Sequence, residues 1–187
     1  MTTPHFAFVD IETTGLNFLT DQILEVGIIA TDDMLNRIAS VEVVLAIDEG
    51  RVLSDFIKDM HGGNSLLVYA ADHGMEKSAA EAVLVEWMLN IFGEEKPAMC
   101  GSGVHFDRRF LADHMPQLHD CFHYRNMDLS TTKRQIEKWC NPEVAAQMPQ
   151  GYGVHRAIDD CEDAIELARF AKALFLHVPV LDYTPAS

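Results

Sequence analysis

Short apolar runs dominate the first fifty residues, and helical patterns dominate the rest. Phe6 to Ile11 is apolar, with aromatic and β-branched residues, and meets charge at Asp10 and Glu12; it predicts a buried strand. Thr13-Thr14-Gly15 turns the chain, and Gln22–Thr31 and Ile38–Ile47 predict two more strands. The connections are short, so an antiparallel meander is the economical arrangement. Helical patterns follow at Val52–Met60, Phe106–Met115, Ser130–Cys140 and, longest and most regular, Asp159–Leu176. Ser78 and Glu81 read as a capping box opening a helix through Phe92, stopped by Gly93. Residues 96–100 suit a returning strand that enters Gly101-Ser102-Gly103. The glycine- or proline-rich stretches 61–64, 141–153 and 179–187 read as loops and a frayed tail. Strands first and helices afterwards predict an α/β fold with a mixed sheet.

The 187 residues fit one domain, with a core over about 5–176 and a tail over 177–187. At 48% apolar and 23% charged, the chain has the make-up of a soluble globular protein. A chain this long buries enough surface to fold without disulfide or metal staples. Cys100, Cys121, Cys140 and Cys161 are too far apart for a C-x-x-C pair and read as free thiols. No apolar run reaches membrane-spanning length, and Met1 to His5 shows no secretory signal. The expected location is cytoplasmic. Fourteen basic against 29 acidic residues give a net charge of −15, which argues against a broad footprint on long nucleic acid. It leaves room for a nucleic-acid enzyme whose carboxylates hold cations, because bound cations reverse the local field.

Asp10 and Glu12 are two residues apart on a strand and point to one face. Buried together they repel, and a hard divalent cation between them would relieve this. A solvated strand end with two surface acids is the bland alternative. Asp107 follows a strand and two glycines at the start of a helix, where it suits either an N-cap or a ligand at the sheet's edge. Asp160 opens the longest helix, after the Gly151-Tyr152-Gly153 loop and His155. Each alone admits a structural role; four acids with one loop histidine form a candidate hydrolytic site.

Three stretches carry a resemblance. Asp10-Ile-Glu-Thr-Thr-Gly-Leu16, Gly101 to Leu111 (G-x-x-x-x-F-D-x-x-F-L) and His155-Arg-Ala-Ile-Asp-Asp160-Cys161 stand in that order. They resemble the three exonuclease motifs of the DEDD superfamily, in its histidine-containing branch. Met60 to Leu66, Arg108 to Leu111 and Phe122 to Thr131 are similar, more narrowly, to the oligoribonuclease family, whose members degrade very short RNA. The match runs over roughly residues 5 to 175. Two positions depart from that family: Gly103 stands where a serine is usual, and Phe56 where tryptophan is frequent.

The resemblance implies a ribonuclease H-like fold, a mixed sheet flanked by helices. It implies a metal-dependent 3′→5′ exoribonuclease acting on short single-stranded RNA as a homodimer. Two ions per site, Mg²⁺ or Mn²⁺, would be held by Asp10, Glu12, Asp107 and Asp160, with His155 as general base. It further implies that Leu16 wedges between bases, Phe56 stacks, and His61 and position 103 lie near substrate. Tyr124, Arg125, Ser130 and Lys133 would cap the 5′ phosphate from a second protomer. A 3′→5′ DNA exonuclease on the same fold, and a catalytically silent nucleic-acid-binding module, are the competing readings. The intact set of five catalytic positions weighs against the silent one.

Overall fold

The computed structural model describes residues 3–151 and 153–177. Five strands form one mixed sheet: β1 (Phe6–Thr13), β2 (Ile23–Thr31), β3 (Arg37–Val44), β4 (Ala98–Gly101) and β5 (His123–Asp128). Their order across the sheet is β3-β2-β1-β4-β5. The expected meander is there: β1 pairs antiparallel with β2, and β2 antiparallel with β3. β4 returns parallel to β1, and β5 parallel to β4. The architecture is the expected α/β mixed sheet flanked by helices.

Strand alternation divides β1 between two cores. Ala7, Val9 and Ile11 face a cluster that includes Leu84 and Met88 of α3 (Lys77–Phe92) and Phe110 and Leu111 of α4 (Val104–His114). Phe8 faces the other way, onto Cys161, Ala164, Ile165 and Ala168 of α8 (Ala157–His177). Asp10 and Glu12 share the parity of Phe8, so they point to the side where α8 begins. The sheet therefore lies between two helical layers, and the acids sit where one layer starts.

The helices differ from expectation in ways that have causes. α1 (Asp55–His61) starts three residues late, because Ser54 accepts the N–H of Ile57 as its cap. α2 (Leu66–His73) has no pattern signal; Ser65 before it holds a left-handed φ of 62°. α3 is capped by Glu76, which accepts the N–H groups of Ser78 and Ala79. The expected capping box fails because Glu81 turns inward. Its carboxylate accepts the N–H of Gln117 at 2.7 Å and of Leu118 at 3.2 Å, at the start of α5 (Pro116–His119). α4 starts at Val104, so Asp107 lies in its first turn and Gly103 is the cap residue. α6 (Leu129–Trp139) is capped by Asp128, and α7 (Pro142–Ala145) interrupts the expected 141–153 loop. The expected tail at 179–187 lies outside the described residues.

β5 carries no strand signal in the sequence because its residues are mostly exposed and polar, as suits a sheet edge. Arg108 fastens it: the guanidinium donates to Asn126 Oδ1 at 2.8 Å and to the His123 carbonyl at 2.7 Å. Cys100 and Cys161 are buried, Cys121 and Cys140 partly so, and all four are free. No helix among the described residues is long and apolar enough to cross a membrane.

Candidate active site

Three separate elements bring the acids together. Asp10 and Glu12 come from the end of β1, Asp107 from the first turn of α4, and Asp160 from the first turn of α8. Asp10, Glu12, His155 and Asp160 line one cleft of about 430 Å³, with Leu16, Phe56, Met60 and Phe106 on its walls. One side-chain ligand atom from each of Glu12, His155 and Asp160 falls within 4.8 Å of the others. Asp107 is buried beneath, where its Oδ1 accepts the N–H of Ile11 at 3.2 Å. Leu16 and Phe56 are 82% and 66% exposed, so apolar surface is offered at the cleft mouth rather than packed away.

The electrostatics are those of crowded, dehydrated carboxylates. Burial, then the charges of Asp107, Asp160 and Glu12, holds the Asp10 carboxyl well above its usual range. Burial, then Asp160, Glu25 and Asp107, pushes Glu12 up to about 8. Burial lifts Asp107 to about 7 against the pull of its backbone hydrogen bonds. Burial lifts Asp160 to about 6, opposed chiefly by His155. An all-oxygen donor set that repels itself until neutralised fits hard divalent cations such as Mg²⁺ or Mn²⁺.

These shifts fix how the metal-free protein responds to pH. Each folded carboxyl retains a proton that the unfolded chain would release near pH 4. Its contribution is therefore complete below about pH 4 and is lost progressively as pH rises from there through the folded values of about 6 to 8. In chelator, the melting temperature is expected to fall from the acid side of this window to the alkaline side, and Mg²⁺ should narrow that fall. A chelated protein whose melting temperature is level across the window would contradict the assigned crowding.

α8 starts where it does because of Glu25, a charge in the middle of the apolar β2. Glu25 is fully buried, and its carboxylate takes Arg156 Nη2 at 2.6 Å, Arg156 Nε at 2.9 Å and the Ala157 N–H at 2.8 Å. It thus caps the helix and neutralises the arginine beside His155. Gly27, two residues on, lets the helix approach: a Cβ there would lie 2.8 Å from the Ala157 carbonyl carbon and the Ile158 nitrogen. Gly27 pairs across the sheet with Asp10, so this contact sets the depth of α8 over the acids. Glu25→Ala strands a buried helix N–H and leaves Arg156 only its 3.4 Å contact with Glu42, and is expected to cost about 3 kcal/mol in denaturant unfolding, the low end for a broken buried pair. A loss below about 1 kcal/mol would show that the pair carries little.

The other predicted residues are placed differently. His61 is buried behind Glu12, its Nε2 3.6 Å from Glu12 Oε2, and does not form the cleft wall. Burial and the nearby His155 depress its pKa. Gly103 holds φ +81°, with no described atom within 4 Å of where a Cβ would stand. Tyr124, Arg125, Ser130 and Lys133 lie on β5 and α6, outside the cleft lining. Arg125 stacks over the Tyr124 ring at 5.4 Å, and Ser130 donates to Asp128 at 2.5 Å. Sequence reasoning missed Glu25 and Asn64, which hold the His155 segment. A glutamate flanked by Leu24 and Val26 was the available signal for the first; the second stood within the Met60 to Leu66 stretch, where only His61 was singled out.

The chain is similar to known exonucleases in sequence and in fold. The RNase T exonuclease family model matches residues 7–168. An oligoribonuclease of Chromobacterium violaceum is 36% identical over 179 residues, covering 94% of this chain and 98% of that protein. The oligoribonuclease of Nitrosomonas eutropha is 37% identical, covering 90% and 94%. Among solved structures, a zinc-bound complex of E. coli exonuclease I with single-stranded DNA superposes with a TM-score of 0.74 at 15% identity, over 95% of this chain. An exonuclease I from Methylocaldum szegediense gives 0.70 at 14% identity, over 90%. The chain spans about two fifths of the length of those two structures, 42% and 40%, and the likeness is one of fold.

Proposed function

The chain belongs to the RNase T exonuclease family, and from that premise we propose that it is a metal-dependent 3′→5′ exoribonuclease that reduces short oligoribonucleotides to nucleoside 5′-monophosphates. The observation that carries this is the convergence of Asp10, Glu12, His155 and Asp160 on one cleft, with Asp107 buried under it. Two divalent cations held by the four acids would supply charge stabilisation for the attacking and leaving oxygens of the scissile phosphate. His155 is the general base: a ring nitrogen accepts the proton of the attacking water. The new oxygen–phosphorus bond forms as the bond from phosphorus to the 3′ oxygen of the penultimate nucleotide breaks, and that oxygen takes a proton from solvent to leave as a 3′-hydroxyl. Leu16 and Phe56 contact the bases at the cleft mouth, where stacking contributes about 1–3 kcal/mol per base.

The reading includes a cytoplasmic homodimer. Tyr124, Arg125, Ser130 and Lys133 stand apart from their own cleft, which supports their serving as a 5′-phosphate cap for a partner's site. Such a cap favours chains of two to five nucleotides, because a longer strand has nowhere to continue. Arg125→Ala should then slow dinucleotides more than heptanucleotides. Equal slowing of both, or an active monomer in sedimentation, would remove the cap. The reading as a whole is tested by a time course on 5′-labelled RNA and DNA of two to ten nucleotides, with and without Mg²⁺ or Mn²⁺. Stepwise, metal-dependent loss of 3′ nucleotides from RNA is expected. A clear preference for DNA would replace the ribonuclease assignment with the DNA-exonuclease one.

A further inference from the structure

Asn64 lies in the turn between α1 and α2, three residues after His61. Its carboxamide nitrogen is 2.7 Å from the His155 carbonyl oxygen, 3.1 Å from that of Val154 and 3.2 Å from His61 Nδ1. Its carboxamide oxygen accepts the N–H of Leu66 at 3.1 Å, at the start of α2. The two ends of the amide cannot be exchanged. The backbone carbonyls only accept and the Leu66 N–H only donates, so the NH₂ must face residues 154 and 155.

Two consequences follow for the cleft. His155 holds a φ of +55°, a left-handed backbone that a residue with a side chain rarely adopts. The Asn64 bonds grip it from one side while Glu25 grips Arg156 and Ala157 from the other. The amide nitrogen cannot accept, so His61 Nδ1 is the acceptor, sharing one of the two amide hydrogens with a carbonyl, and the ring hydrogen resides on Nε2. That nitrogen is buried, has no hydrogen-bond partner among the described residues, and points toward Glu12 Oε2 at 3.6 Å.

We propose that Asn64 is a positioning residue for the hydrolysis: its one amide group sets the backbone that presents His155 and the tautomer of the His61 ring behind Glu12. The proposal rests on the reading of the cleft as the hydrolytic site. Asn64 touches no reacting atom, so its effect passes through His155 and His61, the support role that outer hydrogen bonds play around ligating and catalytic groups.

Two variants separate positioning from simple helix capping. Asn64→Asp keeps an oxygen for the Leu66 N–H and offers no hydrogen to the carbonyls. Asn64→Ala removes both functions without adding charge. On a short RNA with Mg²⁺, both are expected to lose about ten- to a hundredfold in kcat, the usual range for outer hydrogen-bond supports, with KM nearly unchanged. The melting temperature should fall for both variants; only Asn64→Asp keeps the Leu66 bond, so a kcat loss it shares with Asn64→Ala is not one of helix capping. Side-chain nitrogen NMR should show His61 protonated on Nε2 in the wild type. In the Asn64→Asp variant the hydrogen should move to Nδ1, which then faces a carboxylate acceptor. A wild-type His61 protonated on Nδ1 overturns the proposal, as does Asn64→Asp at wild-type kcat in an active enzyme. A wild type inert on every oligonucleotide sinks the hydrolytic reading itself, and the proposal with it.

Discussion

Replacing Asp10, Glu12, Asp107 or Asp160 by alanine is expected to reduce Mg²⁺-dependent RNA hydrolysis by on the order of 10³-fold or more while the protein stays folded. Stabilisation of both phosphate oxygens is worth several kcal/mol, and each acid removed disturbs the cations that provide it. Stability should move the opposite way at two positions. Asp10 and Glu12 are held well above their ordinary pKa by burial and by the charges of neighbouring carboxylates, Asp107 and Asp160 among them. Truncating either relieves that repulsion, so melting in chelator at alkaline pH should stay level or rise. Asp107 differs because its carboxylate accepts the Ile11 N–H. Alanine there strands a buried donor at about 1–3 kcal/mol, and Asp107→Asn, which retains an acceptor, separates that cost from the loss of charge. Near-normal hydrolysis by any two of the four alanine variants would dismiss the two-cation assignment.

His155→Ala is expected to lower kcat by roughly 10²–10⁴-fold, the range for removing a general base. KM should change little, since the base acts on a water and not on the bases or the 5′ phosphate. The exposed ring reaches within 4.8 Å of Glu12 and Asp160 oxygens, so it can take a proton from a water between them. Because only the neutral imidazole accepts a proton, the wild-type rate should rise with pH and then flatten, and the variant should lose that histidine-dependent limb. A variant retaining more than a tenth of the wild-type rate would make His155 a bystander.

Much of this site could be read in the sequence because strand and helix periodicity is strong where the acids lie. The parity of β1 put Asp10 and Glu12 on one face, and the long apolar stripe of α8 put Asp160 at its start. What escaped depends on partners distant in sequence. Glu81 matched a local cap motif but is taken by the backbone of α5, 36 residues away. β5 carries few apolar residues, since as an edge strand it has little to bury. Glu25 meets Arg156 across 131 residues, and Asn64 meets His155 across 91. Such bonds leave no periodic trace; they become visible only once the chain has folded back on itself.

That long reach has a consequence for how the protein is made. Three of the four acids belong to the first 107 residues, yet the helix that brings Asp160 and its neighbour His155 is added about fifty residues later. At ordinary rates of translation, that interval lasts roughly 3–10 s. At its start a nascent chain holds β1 to β4 and three of the acids, but neither its base nor its last ligand. The nuclease cannot ripen while its own message is still being read through that segment, and a product aborted before residue 155 is released without a working blade.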